Sequence, residues 1–364
     1  MGFAPQPIEA HARARALIMV HGWNATAYQI LNPGISHWFA SGGDSVVGYV
    51  TEQNMRVVAG APVCAPERLR EVVAEFDEDS RRRGLRVCYF GAGERLESLL
   101  MDRGGWSVAS LGAQPSWAPA DWGAIIARKA SLRAQLNRAR NKGVSIREHE
   151  PRSAEANPAL QRVLDEWLGD RPLPSLHFLI EPDTMSDLGD RRVFVAERQG
   201  ATVGFIVASP VPARNGWLIE QIIRGHGAVN GTAELLLDTT MRALAASGST
   251  YVTLGLSPLS RHSRFDTARM PHWLRLTLRF VRAHGRRFYN FEGLDTFKSK
   301  FEPQEWEEIV AIANAPSFPW RALWAIAAAF TSGSPVWLIV RALAKGARQE
   351  WRWFRAARAR RRLS

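Results

Sequence analysis

Residues 219–231 read Ile-Glu-Gln-Ile-Ile-Arg-Gly-His-Gly-Ala-Val-Asn-Gly, and the segment Thr232–Ser247 follows them directly. The β-branched run that ends at Arg224 predicts a strand, the glycines predict a tight turn, and the apolar spacing of the next segment predicts a helix. Glycine N–H groups and the first turn of a helix both attract anions. The stretch therefore predicts an α/β fold in which either an anion-binding turn or an ordinary glycine-rich turn joins a strand to a helix.

The predicted elements on both sides of this turn recur in the same order in the two halves of the chain. The second half contains a helix, a hairpin, a strand, a helix, a strand and a helix: Ala159–Leu168, Arg192–Arg198 with Thr202–Pro210, Trp217–Ile223, Thr232–Ser247, Tyr251–Leu256 and His262–His284. The first half contains a fainter version: strands Val46–Thr51 and Arg56–Ala61, helix Pro66–Arg83, strand Leu85–Phe90 and helix Glu94–Asp102. Since 364 residues are too many for one ordinary domain, this order predicts a tandem duplication of one α/β unit.

The order of elements resembles that of the acetyltransferase (GNAT) fold, in which the equivalent turn binds the pyrophosphate of coenzyme A. The expected fold class is therefore α/β (α+β), with tandem duplicated acetyltransferase-like domains and C-terminal amphipathic helices. We expect the first acetyltransferase-like domain over 1–125, a basic connecting helix over 126–150, a second and catalytic domain over 151–315, and a membrane-seeking basic tail over 316–364.

Positive charge is concentrated at the C-terminus. Nine arginines and Lys345 stand against one acid, Glu350, in residues 321–364, so this segment carries +9 of the net charge of +12. A high pI would normally suggest a nucleic-acid partner, but here most of the charge belongs to the tail. The composition therefore indicates an anionic phospholipid surface as a partner of the tail.

The tail also contains an uncharged run, Ala322–Val340, which approaches the length of a membrane span. The turn signal Thr331–Pro335 interrupts it, so we expect two short apolar helices, Trp320–Phe330 and Val336–Leu343, that lie in or re-enter the membrane interface. Arginines and aromatic residues alternate through Lys345–Arg362, as in helices that lie on an anionic leaflet. The alternative is a helical hairpin that packs on the rest of the chain and has a solvated basic end.

The two cysteines, Cys64 and Cys88, have no metal-ligand spacing around them, and a large reduced intracellular protein is the favoured interpretation. The segment 1–7 lacks the pattern of a signal peptide. We therefore expect a cytoplasmic location, peripheral on the inner face of the cell membrane.

Three blocks of sequence are more specific than the element order. They are Arg224 with Asn230-Gly231, Glu234 and Leu254–Ser260; Phe288–Leu294 with Phe297–Pro303 and Trp306; and Leu132–Arg138 with Asn141–Gly143. Together they resemble the catalytic domain of the phosphatidylglycerol lysyltransferases, and the Tyr-Asn-Phe and Phe-Lys-Ser-Lys-Phe motifs are the most specific part. The resemblance covers most of the body and includes no multi-helix flippase domain, so a standalone catalytic domain is expected.

The resemblance implies transfer of an aminoacyl group from charged tRNA to the hydroxyl of a membrane lipid such as phosphatidylglycerol, between the two halves. Such a reaction needs a base near the hydroxyl and cations near the developing oxyanion. The candidate catalytic residues are Lys298, Arg224, Gln221 and Glu220. The candidate substrate-binding residues are Asn230, Gly231, Ser257, Lys300, Tyr289, Gln114, Arg133, Asn137 and Lys142. The expected partners are aminoacyl-tRNA and a lipid acceptor, with no cofactor and no metal.

Several of these residues have simpler explanations. Lys298 and Lys300, which follow an aromatic-rich segment expected to be a strand, could both be surface charges. The segment Arg128–Arg147 holds seven basic residues and no acid, and could grip the tRNA acceptor stem or be a solvated basic helix.

Two positions depart from the family pattern. Gln221 stands where the lysyltransferases carry an acid, and Glu220 beside it would point to the opposite face of a strand. The stretch Leu111–Pro115 also lacks an acidic pair for a cationic aminoacyl group. These differences indicate a neutral aminoacyl group or a different donor. The alternative functions are an acyltransferase that uses acyl-CoA or an acyl carrier, and a non-catalytic membrane-attached binding module.

Overall fold

The predicted strands of both halves lie side by side in a single mixed sheet. The computed structural model describes residues 8–170, 178–179, 185, 187–263, 270–284 and 291–331. The helices in these residues are α1 (Ile8–His21), α2 (Leu69–Arg82), α3 (Glu94–Arg103), α4 (Trp122–Arg128), α5 (Ala130–Asn141), α6 (Pro151–Glu155), α7 (Pro158–Gly169), α8 (Thr232–Ala246), α9 (His272–His284), α10 (Phe291–Ser299) and α11 (Trp320–Thr331). The strands are β1 (Ser36–Phe39), β2 (Val46–Glu52), β3 (Met55–Ala59), β4 (Arg86–Ala92), β5 (Ser107–Trp117), β6 (Val144–His149), β7 (Arg192–Arg198), β8 (Ala201–Val211), β9 (Gly216–Arg224), β10 (Tyr251–Thr253), β11 (Ser257–Pro258) and β12 (Glu305–Ala313).

The strand pairing confirms the predicted repeat. In the first half β1, β2 and β3 are antiparallel, α2 follows, and β4 returns parallel to β3. In the second half β7, β8 and β9 are antiparallel, α8 follows, and β10 returns parallel to β9. The chain therefore contains two copies of one α/β arrangement.

The last strand of each copy crosses to the other copy. The sheet order is β1-β2-β3-β4-β12-β5-β10-β9-β8-β7-β6, with β11 added on β5. Thus β5, which ends the first half, pairs with β10, while β12, which ends the second half, pairs with β4. The two crossing strands also pair with each other from Glu305 to Ala313. The strands of both halves therefore form one continuous sheet, which does not divide at the expected domain boundaries, residues 125, 150 and 315.

Helices cover both faces of this sheet because their apolar residues recur at helical spacing. In α2 the residues Leu69, Val72, Val73 and Phe76 are all buried, and burial of side chains of this size contributes roughly 1.5–3 kcal/mol each. α3 packs on the same face, and α1 and α11 pack on the opposite face of the first half. In the second half α4, α5 and α8 cover one face, and α6 and α7 cover the other.

Three predicted segments differ from the structure. The basic connecting helix ends at Asn141, because Gly143 takes a left-handed conformation and β6 then pairs with β7. The helix predicted from His262 begins at His272, and residues 264–269 lie outside the described residues. The aromatic-rich segment before Lys298 is helical from Phe291 onward and is not a strand.

The first part of the predicted tail belongs to the body. α11 buries Ala322, Ala325 and Ala329 against the core beneath β2 and β3, because small side chains let the helix approach the sheet closely. One face of the predicted helix Trp320–Phe330 is therefore packed on the core, as in the alternative of a helix packed on the rest of the chain. The second predicted helix and the basic segment after it lie outside the described residues. None of the described helices combines the length and apolar composition needed to cross a bilayer.

Candidate active site

The strands of the second half diverge at the centre of the sheet. β9 pairs with β10 only from Gly216 to Leu218, and then continues to Arg224 beside β8 alone. β10 and β11 both pair with β5, but residues 254–256 between them leave the sheet. The edge of β9 after Leu218 that faces β10 therefore has no strand partner among the described residues.

Lys298 of α10 reaches this loop from outside the sheet. Its side chain is only 4% exposed, and its Nζ donates hydrogen bonds to the carbonyl oxygens of Gly255, at 2.8 Å, and Leu256, at 3.1 Å. Burial lowers the pKa of Lys298 to about 7, although the negative charge of Asp295 opposes this shift. A neutral amine has two N–H groups and one lone pair, so the two carbonyls can occupy both donors and leave the lone pair to accept a proton.

Two unpartnered polar atoms accompany this lysine. Asp295 accepts hydrogen bonds at Oδ2 from Ser260 Oγ and from the backbone N–H of Arg261, each at 3.0 Å. Its Oδ1 and the Oγ of Ser257 are buried and have no hydrogen-bond partner in the described chain. Buried polar atoms nearly always have a hydrogen-bond partner. Buried atoms without one are therefore typical of sites where a bound ligand supplies the partner. Asp295 was not among the predicted site residues, although it lies one helical turn before Lys298.

Gln114 lies next along β5 to Ala113, the register partner of Ser257. Its Nε2 donates to the hydroxyl of Tyr251 at 2.9 Å and to the carboxylate of Glu307 at 2.8 Å. The structure thus supplies an acid beside Gln114 that the local sequence does not show, because Glu307 comes from the exchanged strand β12.

This acid is already engaged. Arg214 donates to both carboxylate oxygens of Glu307, at 3.0 and 2.7 Å, and its guanidinium lies 3.4 Å from the centre of the Tyr251 ring. A bidentate arginine neutralises the carboxylate and fixes its orientation. Glu307 therefore adds no free negative charge for a cationic aminoacyl group.

Glu220 is held in a buried ion pair. Arg191 donates to its carboxylate at 2.7 Å, and both side chains are almost fully buried. The register of β8 and β9 shifts at this point, so Glu220 is the extra residue of a β-bulge and the simple alternation expected for a strand does not hold. Its carboxylate is committed to Arg191, which argues against the candidate catalytic role. Gln221 beside it is buried.

The glycine-rich turn is covered by a helix. Gly231 has a φ of +97°, and a Cβ there would lie 2.2 Å from the carbonyl oxygen of Gln135 in α5. The glycine thus lets α5 approach the start of α8 closely, and the protein backbone occupies one side of the predicted anion site. Arg224 and Asn230 are exposed on either side of the turn.

The remaining candidates lie on or near α5 and α8. Lys300 forms an ion pair with Glu234 in the first turn of α8 and lies over the ring of Phe297. Arg133 donates to the last carbonyls of α4, including that of Ile126 at 3.2 Å.

Asn137 on α5 and Lys142, the residue directly after α5, are exposed, and Tyr289 lies outside the described residues. The structure thus brings Lys298 to the loop that precedes Ser257, whereas Gln114 lies with Tyr251 and Glu307 and the α5 residues remain on the surface. No group of three potential metal ligands occurs in the described parts of the chain.

Comparison with known proteins gives one consistent family. The family model described as phosphatidylglycerol lysyltransferase, C-terminal, matches residues 15–312. The phosphatidylglycerol lysyltransferase of Bacillus subtilis is 25% identical over 298 residues, which are 81% of this chain and 34% of the relative. An uncharacterized protein of Corynebacterium glutamicum is 22% identical over 320 residues, or 84% of this chain and 39% of the relative. The chain thus spans between a third and two fifths of the length of these relatives.

Solved structures share the fold. The C-terminal domain of a putative lysylphosphatidylglycerol synthetase from Agrobacterium fabrum superposes with a TM-score of 0.74 at 22% identity, covering 89% of this chain and 98% of the other. The L-PGS of Bacillus licheniformis superposes with a TM-score of 0.73 at 21% identity, covering 95% and 98%. With a family model that matches most of its length, this chain belongs to the family of phosphatidylglycerol lysyltransferase C-terminal domains.

Proposed function

We propose that the chain is an aminoacyltransferase that moves an aminoacyl group from charged tRNA to a hydroxyl of a membrane lipid such as phosphatidylglycerol. The family match over residues 15–312 carries this proposal. The arrangement at Lys298 supports it, because a buried amine with a free lone pair suits proton transfer at neutral pH.

In the proposed reaction the lipid hydroxyl oxygen attacks the ester carbonyl of aminoacyl-tRNA. Lys298 Nζ takes the proton from that hydroxyl, and a tetrahedral intermediate forms. The intermediate collapses with cleavage of the ester bond to the ribose oxygen of tRNA, and Lys298 returns the proton to this leaving oxygen. Ser257 Oγ donates a hydrogen bond to the oxyanion. Asp295, one helical turn before Lys298, supplies a hydrogen-bond acceptor through its Oδ1.

The aminoacyl group is proposed to be neutral. Glu307, the acid beside Gln114, is neutralised by Arg214, and Glu220 is neutralised by Arg191. A lysyl side chain would therefore find no uncommitted carboxylate at either position. Transfer assays with tRNA charged separately with alanine and with lysine test this choice, and faster transfer of lysine would contradict it.

The tRNA is proposed to approach from the side of α5. The exposed Asn137 of α5, Lys142 directly after α5, and Arg224 at the end of β9 would contact phosphates near the acceptor end. Arg224→Ala should weaken tRNA binding and lower transfer, while the exposed Arg70→Ala on α2 should leave both unchanged. Equal effects of the two variants would remove Arg224 from the site.

Membrane contact is proposed to come from the basic segment Lys345–Arg362, with the protein peripheral on the inner leaflet. Charged tRNA is a cytoplasmic substrate, so the lipid acceptor has to be presented on that side. Each arginine near an anionic leaflet adds roughly 1 kcal/mol of attraction.

Expression in a bacterial host that lacks aminoacylated lipids provides the test. Mass spectrometry of lipid extracts should reveal an aminoacylated lipid with the natural chain and none with Lys298→Met. Unchanged lipids together with thermal stabilisation by coenzyme A would instead support an acyl-CoA-dependent acyltransferase. Unchanged lipids without stabilisation would support a binding module without activity.

A further inference from the structure

The outer surface of α9 carries an unusual concentration of apolar side chains. Trp273, Leu276 and Phe280 are 40%, 65% and 64% exposed, whereas most large apolar residues of the described chain are buried. Their spacing of three and four residues places them on one stripe of the helix. A solvent-exposed apolar stripe of this kind marks a contact with a partner or a membrane.

The other sides of α9 explain how this stripe comes to face outward. Leu274 is fully buried in the core of the first half, and Leu278 packs against the same core one turn later. These two residues anchor the helix by its inner side. Leu276 lies two residues from both Leu274 and Leu278, and a step of two residues turns a helix by about 200°, so the apolar stripe lies on roughly the opposite side.

The charge of α9 is of one sign. Arg275, Arg279 and Arg282 recur at spacings of four and three and form a second stripe beside the apolar one. The sequence of α9 contains no acidic residue. Apolar and aromatic residues flanked by arginines along one helix are the composition of a segment that lies in the interface of an anionic bilayer.

We propose that α9 is a membrane-docking helix, whose Trp273, Leu276 and Phe280 enter the interface of an anionic phospholipid bilayer while its arginines contact the lipid phosphates. The helix lies in the chain between β11, which supplies Ser257, and α10, which supplies Lys298. Docking at α9 would therefore bring the lipid surface to a helix that is close in sequence to both Ser257 and Lys298. This inference rests on the proposed lipid acceptor and assigns a docking element that is distinct from the C-terminal tail.

A local fluorescence reporter tests the docking helix in the full-length chain. Both native cysteines, Cys64 and Cys88, are buried, and burial raises their thiol pKa to about 11 and about 12, so neither should react with a labelling reagent. Leu276→Cys can then carry a single environment-sensitive dye. Val20→Cys on α1 is the matched control, because Val20 is also 65% exposed.

Vesicles of phosphatidylglycerol mixed with phosphatidylcholine should shift the emission of the dye at position 276 to the blue and leave the dye at position 20 unchanged. Vesicles of phosphatidylcholine alone should shift neither. Adding Arg282→Gln to the labelled variant should weaken the partition onto anionic vesicles about fivefold.

A chain that sediments with anionic vesicles while the dye at position 276 stays unshifted would overturn the proposal, because the tail alone would then account for binding. A blue shift of the dye at position 276 that is caused by tRNA, or by a higher protein concentration without lipid, would also overturn the proposal. The apolar stripe would then bind tRNA or a second copy of the chain. The assay contains no aminoacyl donor. Docking without any transfer activity would therefore refute the proposed function alone, and transfer without docking at α9 would refute this inference alone.

Discussion

The Nζ atom of Lys298 lies 2.8 Å from the carbonyl oxygen of Gly255, at the point where the chain leaves the sheet between β10 and β11. This contact joins two segments that are 43 residues apart in sequence. It places a buried amine at the loop that follows the end of the pairing between β9 and β10. The proposed chemistry and the stability of the loop therefore depend on the same side chain.

Lys298→Met should abolish aminoacyl transfer. Methionine keeps much of the apolar stem but removes the amine, and loss of a general base lowers rates by about 10²–10⁴-fold. The rate of lipid aminoacylation measures this effect, and far-UV circular dichroism reports whether the fold is kept. Lys298→Arg is the control for charge, because it retains a cation that cannot act as a base near neutral pH. Substantial activity in either folded variant would contradict the proposed role.

The free energy of unfolding should depend on the titration of Lys298. Its pKa is about 7 in the folded chain and near 10.5 when exposed, so between these values only the unfolded state binds the proton. Stability then rises with pH across this window, by at most about 1.4 kcal/mol per unit, and has no such slope below it. Urea unfolding of the natural chain and of Lys298→Met should give a stability difference that changes in favour of the natural chain from about pH 7 to about pH 10. A constant difference would show that Lys298 keeps its proton when folded.

Gly231→Ala should destabilise the protein more than Gly248→Ala. Both glycines have positive φ values, of +97° and +75°, so each alanine carries a conformational cost of about 1–2 kcal/mol. Only at Gly231 would the new Cβ meet a backbone atom, the oxygen of Gln135 at 2.2 Å, whereas the space at Gly248 is open. Relief of this overlap should add about 1–3 kcal/mol. Equal losses in thermal unfolding would contradict the close packing of α5 on α8.

Glu220→Gln should lower the free energy of unfolding by about 3–5 kcal/mol, because it leaves Arg191 charged and buried without its partner. The exposed pair of Glu148 with Arg192 provides the comparison, since Glu148→Gln should cost at most about 1 kcal/mol. Denaturant unfolding measures both variants. Transfer by the folded Glu220→Gln protein should persist, and its loss without loss of stability would restore Glu220 as a catalytic candidate.

The sequence predicted the repeat but not the exchange of strands. Hydrophobic periodicity is local, so β2, β3, α2, β7, β8 and α8 could be located within a few residues of their observed bounds. The place of β12 could not be located in this way, because its partners Ser107–Ser116 lie almost 200 residues earlier. Alternation of apolar residues shows that a segment is a strand but does not say which strand it joins.

The candidate site could likewise be predicted only in part from local sequence patterns. Lys298 and Ser257 stand in recognisable motifs, yet the burial of Lys298 follows from a loop that is distant in sequence. Asp295 was missed because the segment before Lys298 was expected to be a strand, in which residues three apart face opposite sides. In the observed helix they share a face. Glu220 was selected by its position next to Gln221, and only the tertiary structure shows that Arg191 engages it.

The proposed aminoacyl transfer is tested most directly with the purified chain, vesicles that contain phosphatidylglycerol, and tRNA charged with a radiolabelled neutral amino acid such as alanine. We predict that label moves from tRNA into the organic phase as an aminoacylated lipid, and that Lys298→Met prevents this movement. Label that stays on tRNA, or that appears only as free amino acid in the presence of folded protein, would contradict it.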